Sequence, residues 1–251
     1  EYQYKAEDPN FPEIPKITPG ESQPDSERVS SFVYPGGILA VHSEGRGKDA
    51  IWSALKNKNV YGTSGPRILL WFDLINSPQG KVPMGSEITM SQNPRFIVRA
   101  AGSFKQNSGC SDESIDALSS DRLEYLCAGE CYNPTNERHI LERIEVIKIT
   151  PQSYVGESIT TLIQDPWMSI PCNGKGECII EFEDPNFSRD SVYYVRAIQE
   201  ETLAINGSSI SERKEFKLCK GSFRTNLNDN CLSPANERAW SSPIFVGGTR
   251  H

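Results

Sequence analysis

The chain predicts an α+β fold that is mainly β, with a short βαβ unit followed by an antiparallel β-sandwich-like region. Three observations carry this. Between Gly36 and Asp73, signals for a strand, a helix and a second strand follow one another within forty residues, the order of a βαβ unit. Downstream, short runs alternate polar and apolar residues between turn signals, as strands with one buried face do. Seven cysteines, at 110, 127, 131, 172, 178, 219 and 231, sit in loop-like contexts, which favours disulfides and an oxidising compartment. The organisation expected is an extended segment or linker over 1–34, the βαβ portion over 35–75, and a disulfide-stapled β-rich region over 76–251.

Glu1 to Ser31 is rich in Pro, Glu, Ser and Asp without a sustained period, so it reads as an extended segment. The chain starts at Glu1 without Met or a signal peptide, which suggests a processed chain or one part of something larger. Gly37 to Val41 is a short apolar run between Pro35-Gly36 and His42-Ser43-Glu44, a buried strand by this reading. From Lys48 to Lys58 the apolar Ala50, Ile51, Ala54 and Leu55 recur at helical spacing, with lysines at the end where the helix dipole favours them. The Gly62-Thr63-Ser64-Gly65-Pro66 turn then leads to Ile68-Leu69-Leu70-Trp71-Phe72, apolar enough to be buried on both faces.

Later elements are simpler. Pro78-Gln79-Gly80 and Pro83-Met84-Gly85 are turns, Arg95 to Ala101 is a strand, and Ser120 to Cys127 is a short helix capped by Ser119 or Ser120. Strands are also expected over Ile140 to Thr150, Cys178 to Phe182, Ser191 to Ile198 and Ala239 to Val246, with turns at Asp184-Pro185-Asn186 and Asn206-Gly207. Cys131-x-x-Pro134-x-Asn136-Glu137-Arg138 recurs as Cys231-x-x-Pro234-x-Asn236-Glu237-Arg238, each copy placed before a strand and each Glu and Arg expected to pair locally. Cys172 with Cys178 and Cys219 with Cys231 are plausible staples, and Cys110 has Cys127 or Cys131 as partner. Zinc on Cys127-x3-Cys131 is the competing reading, disfavoured for want of a second matching pair.

Composition excludes several functions. A net charge of −7 opposes a nucleic-acid footprint, and no apolar stretch approaches the ~18 residues of a membrane span. Three histidines, His42, His139 and His251, are too few for a self-contained polyhistidine metal centre. His42 and Glu44 stand just beyond the first strand, where α/β units place functional groups, and could supply a ligand or a general base; the alternative for His42 is a hydrogen-bonded strand-end histidine. Tyr61 is a proton donor or, more simply, a core aromatic. Arg46 and Arg67 suit an anionic substrate because a guanidinium fork matches phosphate or carboxylate. Ser64 belongs to a turn that only weakly resembles an anion cradle. The Asn226 to Asn230 loop is oxygen-rich but fails the EF-hand pattern.

The run from Ala40 to Asp73 resembles the closing portion of the DUF3604 proteins, a branch of the PHP-like metallohydrolases. The resemblance extends through Phe104-Lys105-Gln106, Leu126 to Pro134, Tyr193 to Ala197 and Ala239 to Val246. It implies that the βαβ piece belongs to a PHP-like barrel and that the parent protein uses zinc, manganese or iron to cleave a phosphoester or related bond in the periplasm or outside the cell. Family members are much longer, and their His-x-His and Asp-x-His metal motifs are absent from this sequence. This chain is therefore expected to be the carboxy-terminal part of such a hydrolase, docked on an amino-terminal portion or another subunit. There His42, Glu44, Arg46 and Arg67 would serve a metal site completed elsewhere. The alternative is a non-catalytic β-sandwich that acts in interaction or assembly.

Overall fold

The computed structural model describes residues 36–127, 131–205 and 232–248. The chain forms β1 (Ile38–Val41), α1 (Lys48–Lys56), β2 (Val60–Thr63), β3 (Leu69–Ser77), β4 (Gly80–Pro83), β5 (Glu87–Met90), β6 (Arg95–Ala101) and β7 (Phe104–Ser108). Then come α2 (Asp112–Ala117), α3 (Ser120–Cys127), β8 (Tyr132–Arg138), β9 (Leu141–Ile149), α4 (Ile159–Leu162), β10 (Ile163–Pro171), β11 (Glu177–Glu183), β12 (Ser191–Ile205), β13 (Leu232–Ser241) and β14 (Ile244–Gly248). An eight-stranded sheet runs β1-β2-β13-β12-β14-β5, with β9 on β12 and β10 on β9, and a four-stranded sheet runs β11-β6-β3-β4. β7 and β8 form a separate ribbon. Among the described residues, all pairings are antiparallel except β14 with β5, in keeping with a mainly β, α+β fold.

The two larger sheets bury one apolar cluster. Leu70, Phe72 and Leu74 of β3 and Phe96 and Val98 of β6 meet Ile144 and Val146 of β9 and Tyr193, Val195 and Ala197 of β12. Alternation explains which side chains go in, since every second residue of a strand faces the same way. Phe96 stacks on Phe72 and Phe182 of its own sheet at centroid distances of 5.3 and 5.0 Å, and its ring reaches Tyr193 of the other sheet in a tilted contact at 4.8 Å. Segments before and after residue 75 share both sheets and this cluster.

Gly36 to Asp73 does not form the parallel βαβ unit expected of it. β1 pairs antiparallel with β2, and the apolar run from Ile68 enters the other sheet as β3. A parallel crossover requires a helix that packs back over its sheet, whereas α1 buries only Ala54. Nor is β3 closed on both faces: Leu70 and Phe72 are fully buried, while Leu69 and Trp71 are half-buried. The indole of Trp71 is covered by polar neighbours, with the Arg99 guanidinium 5.9 Å from its ring and the His42 ring at 5.6 Å.

Other expectations fit closely. Arg95–Ala101 is β6, and Ser119 caps α3 by accepting from Arg122 N at 3.3 Å. The Asn-Glu-Arg repeats lie within β8 and β13 rather than before strands. Their charges reach outward instead of pairing locally: Glu137 bridges Lys105, Arg138 donates to Gly102 O, and Glu237 accepts from Ser64. The strand expected over Ala239 to Val246 breaks at Ser242-Pro243 into β13 and β14. Gly85 turns the chain with φ of +88°, where a Cβ would meet Asn57 O at 2.5 Å, so the turn and the end of α1 are in direct contact. Asn206-Gly207, the Asn226 to Asn230 loop, Cys219, Cys231 and His251 lie outside the described residues.

Candidate functional site

The residues singled out by sequence divide into two places. The first surrounds His42, whose Nε2 lies 2.8 Å from Leu70 O, while its ring meets Tyr61 at 5.2 Å and Trp71 at 5.6 Å. His42 is thereby locked to the backbone of β3. Tyr61 is 5% exposed; burial raises its phenol pKa, opposed by a hydrogen bond to the Leu70 backbone. Tyr61 is packed in the core cluster, the position of a core aromatic. Glu44 and Arg46 are exposed on the loop before α1. Among the described residues, His42 and Glu44 belong to no group of three or more ligands that could hold a metal by themselves.

Ser64 is also structural. Its hydroxyl donates to Glu237 and accepts from Arg238 N at 2.9 Å, and Ser64 N donates to Arg238 O at 3.0 Å. These bonds dock the turn after β2 onto β13. Arg67, two residues beyond Gly65, goes elsewhere.

The second place is a groove of about 760 Å³ lined by Arg67, Leu69, Phe104, Arg138, His139 and Gln199, among others. Each side chain has a local reason to be there. Arg138 ends β8 with its guanidinium 4.0 Å from the Phe104 ring centroid and donates to Gly102 O at 2.7 Å, which orients the planar fork. Gly102 is required here, because a Cβ would lie 2.1 Å from His139 O. His139 Nδ1 meets Glu200 Oε1 at 2.9 Å, and Ile140 N donates to the same oxygen at 3.1 Å. Burial acts to raise the pKa of Glu200, but these hydrogen bonds outweigh it and the net shift is downward. Gln199 is 1% exposed and accepts from Ser103 N and Ser103 Oγ, both at 2.9 Å. The result is a rigid polar and aromatic floor with two arginines at its margin, a donor set suited to a carboxylate or phosphate.

Arg67 is legible in the sequence as an anion-binding candidate, whereas Arg138, His139 and Phe104 are not. The one signal for Arg138 is its repeated Asn-Glu-Arg motif, and no local pattern ties His139 to Glu200, which lies 61 residues away. The cysteines resolve more fully. Cys172 bonds Cys178, Cys110 bonds Cys131, and Cys127 is a free thiol. With Cys110 and Cys131 joined, zinc on this cluster lacks the thiolates it needs. The two disulfides fit an oxidising, non-cytoplasmic setting. No described helix is long and apolar enough to cross a membrane.

A family model described as "Protein of unknown function (DUF3604)" matches residues 6–108. The matched span holds His42, Glu44, Arg46, Tyr61, Ser64, Arg67 and Phe104, and it ends before Arg138 and His139. No curated protein and no solved structure matches the chain.

Proposed function

We propose that the chain is the carboxy-terminal portion of a DUF3604 protein of the PHP-like type, a periplasmic or secreted metal-dependent hydrolase of phosphoesters or related bonds. Its metals, zinc, manganese or iron, are held by an amino-terminal portion outside this chain. The observation that carries this reading is the exposed edge strand β1. Among the described residues it pairs on one side only, with β2, and Ile38 and Leu39 are 43% and 60% exposed. On α1, Trp52 is 58% exposed beside Ile51 and Leu55. An open apolar edge invites another backbone to pair with it. The same elements flank the exposed Glu44 and Arg46, so a portion seated there would bring these two groups to its own site.

The sandwich itself contributes binding rather than bond cleavage. Arg67 and Arg138 grip an anionic small-molecule substrate in the groove, and His42 supports the fold at the junction. A second reading, a non-catalytic interaction or assembly module, draws on one specific feature: Ile68, Leu70 and Phe72 are already buried within the sandwich, so this apolar run is covered without a partner.

Intact mass spectrometry of native, non-reduced protein, with metal analysis of the same sample, tests the proposal. The expected result is a longer or second polypeptide that carries metal and hydrolyses phosphoesters. A stable, monomeric, metal-free species of 28.0 kDa would leave the interaction module as the reading.

A further inference from the structure

We infer that Cys110, Cys127 and Cys131 form a thiol–disulfide exchange site in which the Cys131 sulfur passes between two partners. Cys110 and Cys131 are bonded, and the Cys127 thiol at the end of α3 lies with its Sγ 3.3 Å from Cys131 Sγ. All three sulfurs fall within 4.8 Å of one another and all three residues are half-buried. A thiol in contact with a disulfide sulfur is the arrangement from which exchange proceeds.

The step balances without an outside reagent. Cys127 gives its proton to solvent, and the thiolate attacks Cys131 Sγ. A Cys127–Cys131 bond forms as the Cys110–Cys131 bond breaks, the electron pair leaves on Cys110 Sγ, and Cys110 takes up a proton. One disulfide and one thiol are present before and after. The leaving residue stays close, because Gly109 N donates to Cys131 O at 2.7 Å and Asn133 Nδ2 donates to Gly109 O at 2.9 Å. The reverse attack is therefore available.

Exchange changes what the bond restrains. Cys110–Cys131 spans 21 residues and encloses both α2 and α3, whereas Cys127–Cys131 spans four. Neither helix buries a side chain. Ile115, Tyr125 and Leu126 are 52%, 78% and 49% exposed, so the disulfide is the main restraint on this arm. The alternative bond frees α2 and presents Cys110 as the reactive thiol. Cys172–Cys178, with no free cysteine recorded near it among the described residues, serves as the unreactive comparison.

The test is alkylation of the native, non-reduced protein with N-ethylmaleimide, followed by peptide mapping of each cysteine after acid quenching. The label is expected on both Cys127 and Cys110, with Cys131 and the Cys172–Cys178 pair unlabelled. It should move toward completion faster as pH rises from about 7 to about 9, because the thiolate is the attacking species. Cys127→Ser is expected to reduce labelling of Cys110 by at least about tenfold, since the attacking sulfur is gone. Cys110→Ser is expected to yield a mapped Cys127–Cys131 disulfide. Label confined to Cys127 in the wild-type protein at every pH would overturn the inference, as would two free thiols at Cys127 and Cys131 in Cys110→Ser.

Discussion

Lys148 Nζ pairs with the carboxylate of Asp184, a residue with 0% exposure. The same carboxylate accepts from the Tyr193 hydroxyl, and Asn186 N donates to its other oxygen at 3.1 Å. The Lys148 ammonium also lies 5.2 Å from the Trp167 ring. A buried ion pair is costly to break on one side and nearly neutral to replace whole. Asp184→Ala is expected to lower stability by about 3–5 kcal/mol, read as a shift of the urea midpoint. Joint replacement by Lys148→Met and Asp184→Leu should recover most of that loss. Additive losses in the double variant would show that the pair is not coupled.

Acid should loosen the loop after β9. Arg189 Nη1 contacts Glu157 Oε1 at 2.8 Å and Ser153 N donates to Glu157 Oε2 at 2.7 Å. The hydrogen bond from Arg189 and then that from Ser153 lower the Glu157 pKa to about 2. Because the folded value is depressed, the stabilisation is present above the ordinary glutamate range and disappears as pH falls from about 4.5 toward 2. Amide exchange over residues 151–157 is expected to accelerate through that window. Glu157→Gln should remove the pH dependence.

Alkali acts on Tyr193 with the opposite sign. Burial first, then the hydrogen bond to Asp184, push its phenol far above the ordinary value. A raised folded pKa means the stabilisation is complete below about pH 10 and is lost progressively above it. Tyr193→Phe should flatten the alkaline limb of a stability–pH profile. An unchanged limb would place the titration elsewhere.

His42 and Tyr61 are expected to behave as structural residues. Tyr61→Phe should leave any hydrolytic turnover of the intact protein within about twofold, since a phenol only 5% exposed within the core is out of reach of a substrate. His42→Ala removes the contact with Leu70 O and should cost about 1 kcal/mol in thermal unfolding. A large loss of turnover for Tyr61→Phe with unchanged stability would restore its catalytic role.

Arg67 separates binding from folding. It is exposed, so Arg67→Ala should change stability by less than about 0.5 kcal/mol. It should nonetheless raise KM for an anionic substrate by about tenfold, the loss of one charge-assisted contact. Arg138→Ala is expected to do both, because its guanidinium also covers Phe104 and bonds Gly102 O.

Local chemistry alone made several features of this chain legible. The alternation of β9, the bounds of β6, the serine cap of α3 and the Cys172–Cys178 staple depend on near neighbours, and near neighbours are what a sequence displays. The tertiary structure decided the rest. Ile38 to Phe72 has the order of a βαβ unit, yet only the available pairing surfaces could send β1 to β2 and β3 to the other sheet. The groove is assembled from Arg67, Arg138 and Gln199, which no local period connects. His139 found Glu200, and Cys110 took Cys131 with Cys127 left at its side, because antiparallel register brings distant residues together. Long-range pairing of this kind is settled by closure of a common core, and no stretch of the chain contains that core by itself.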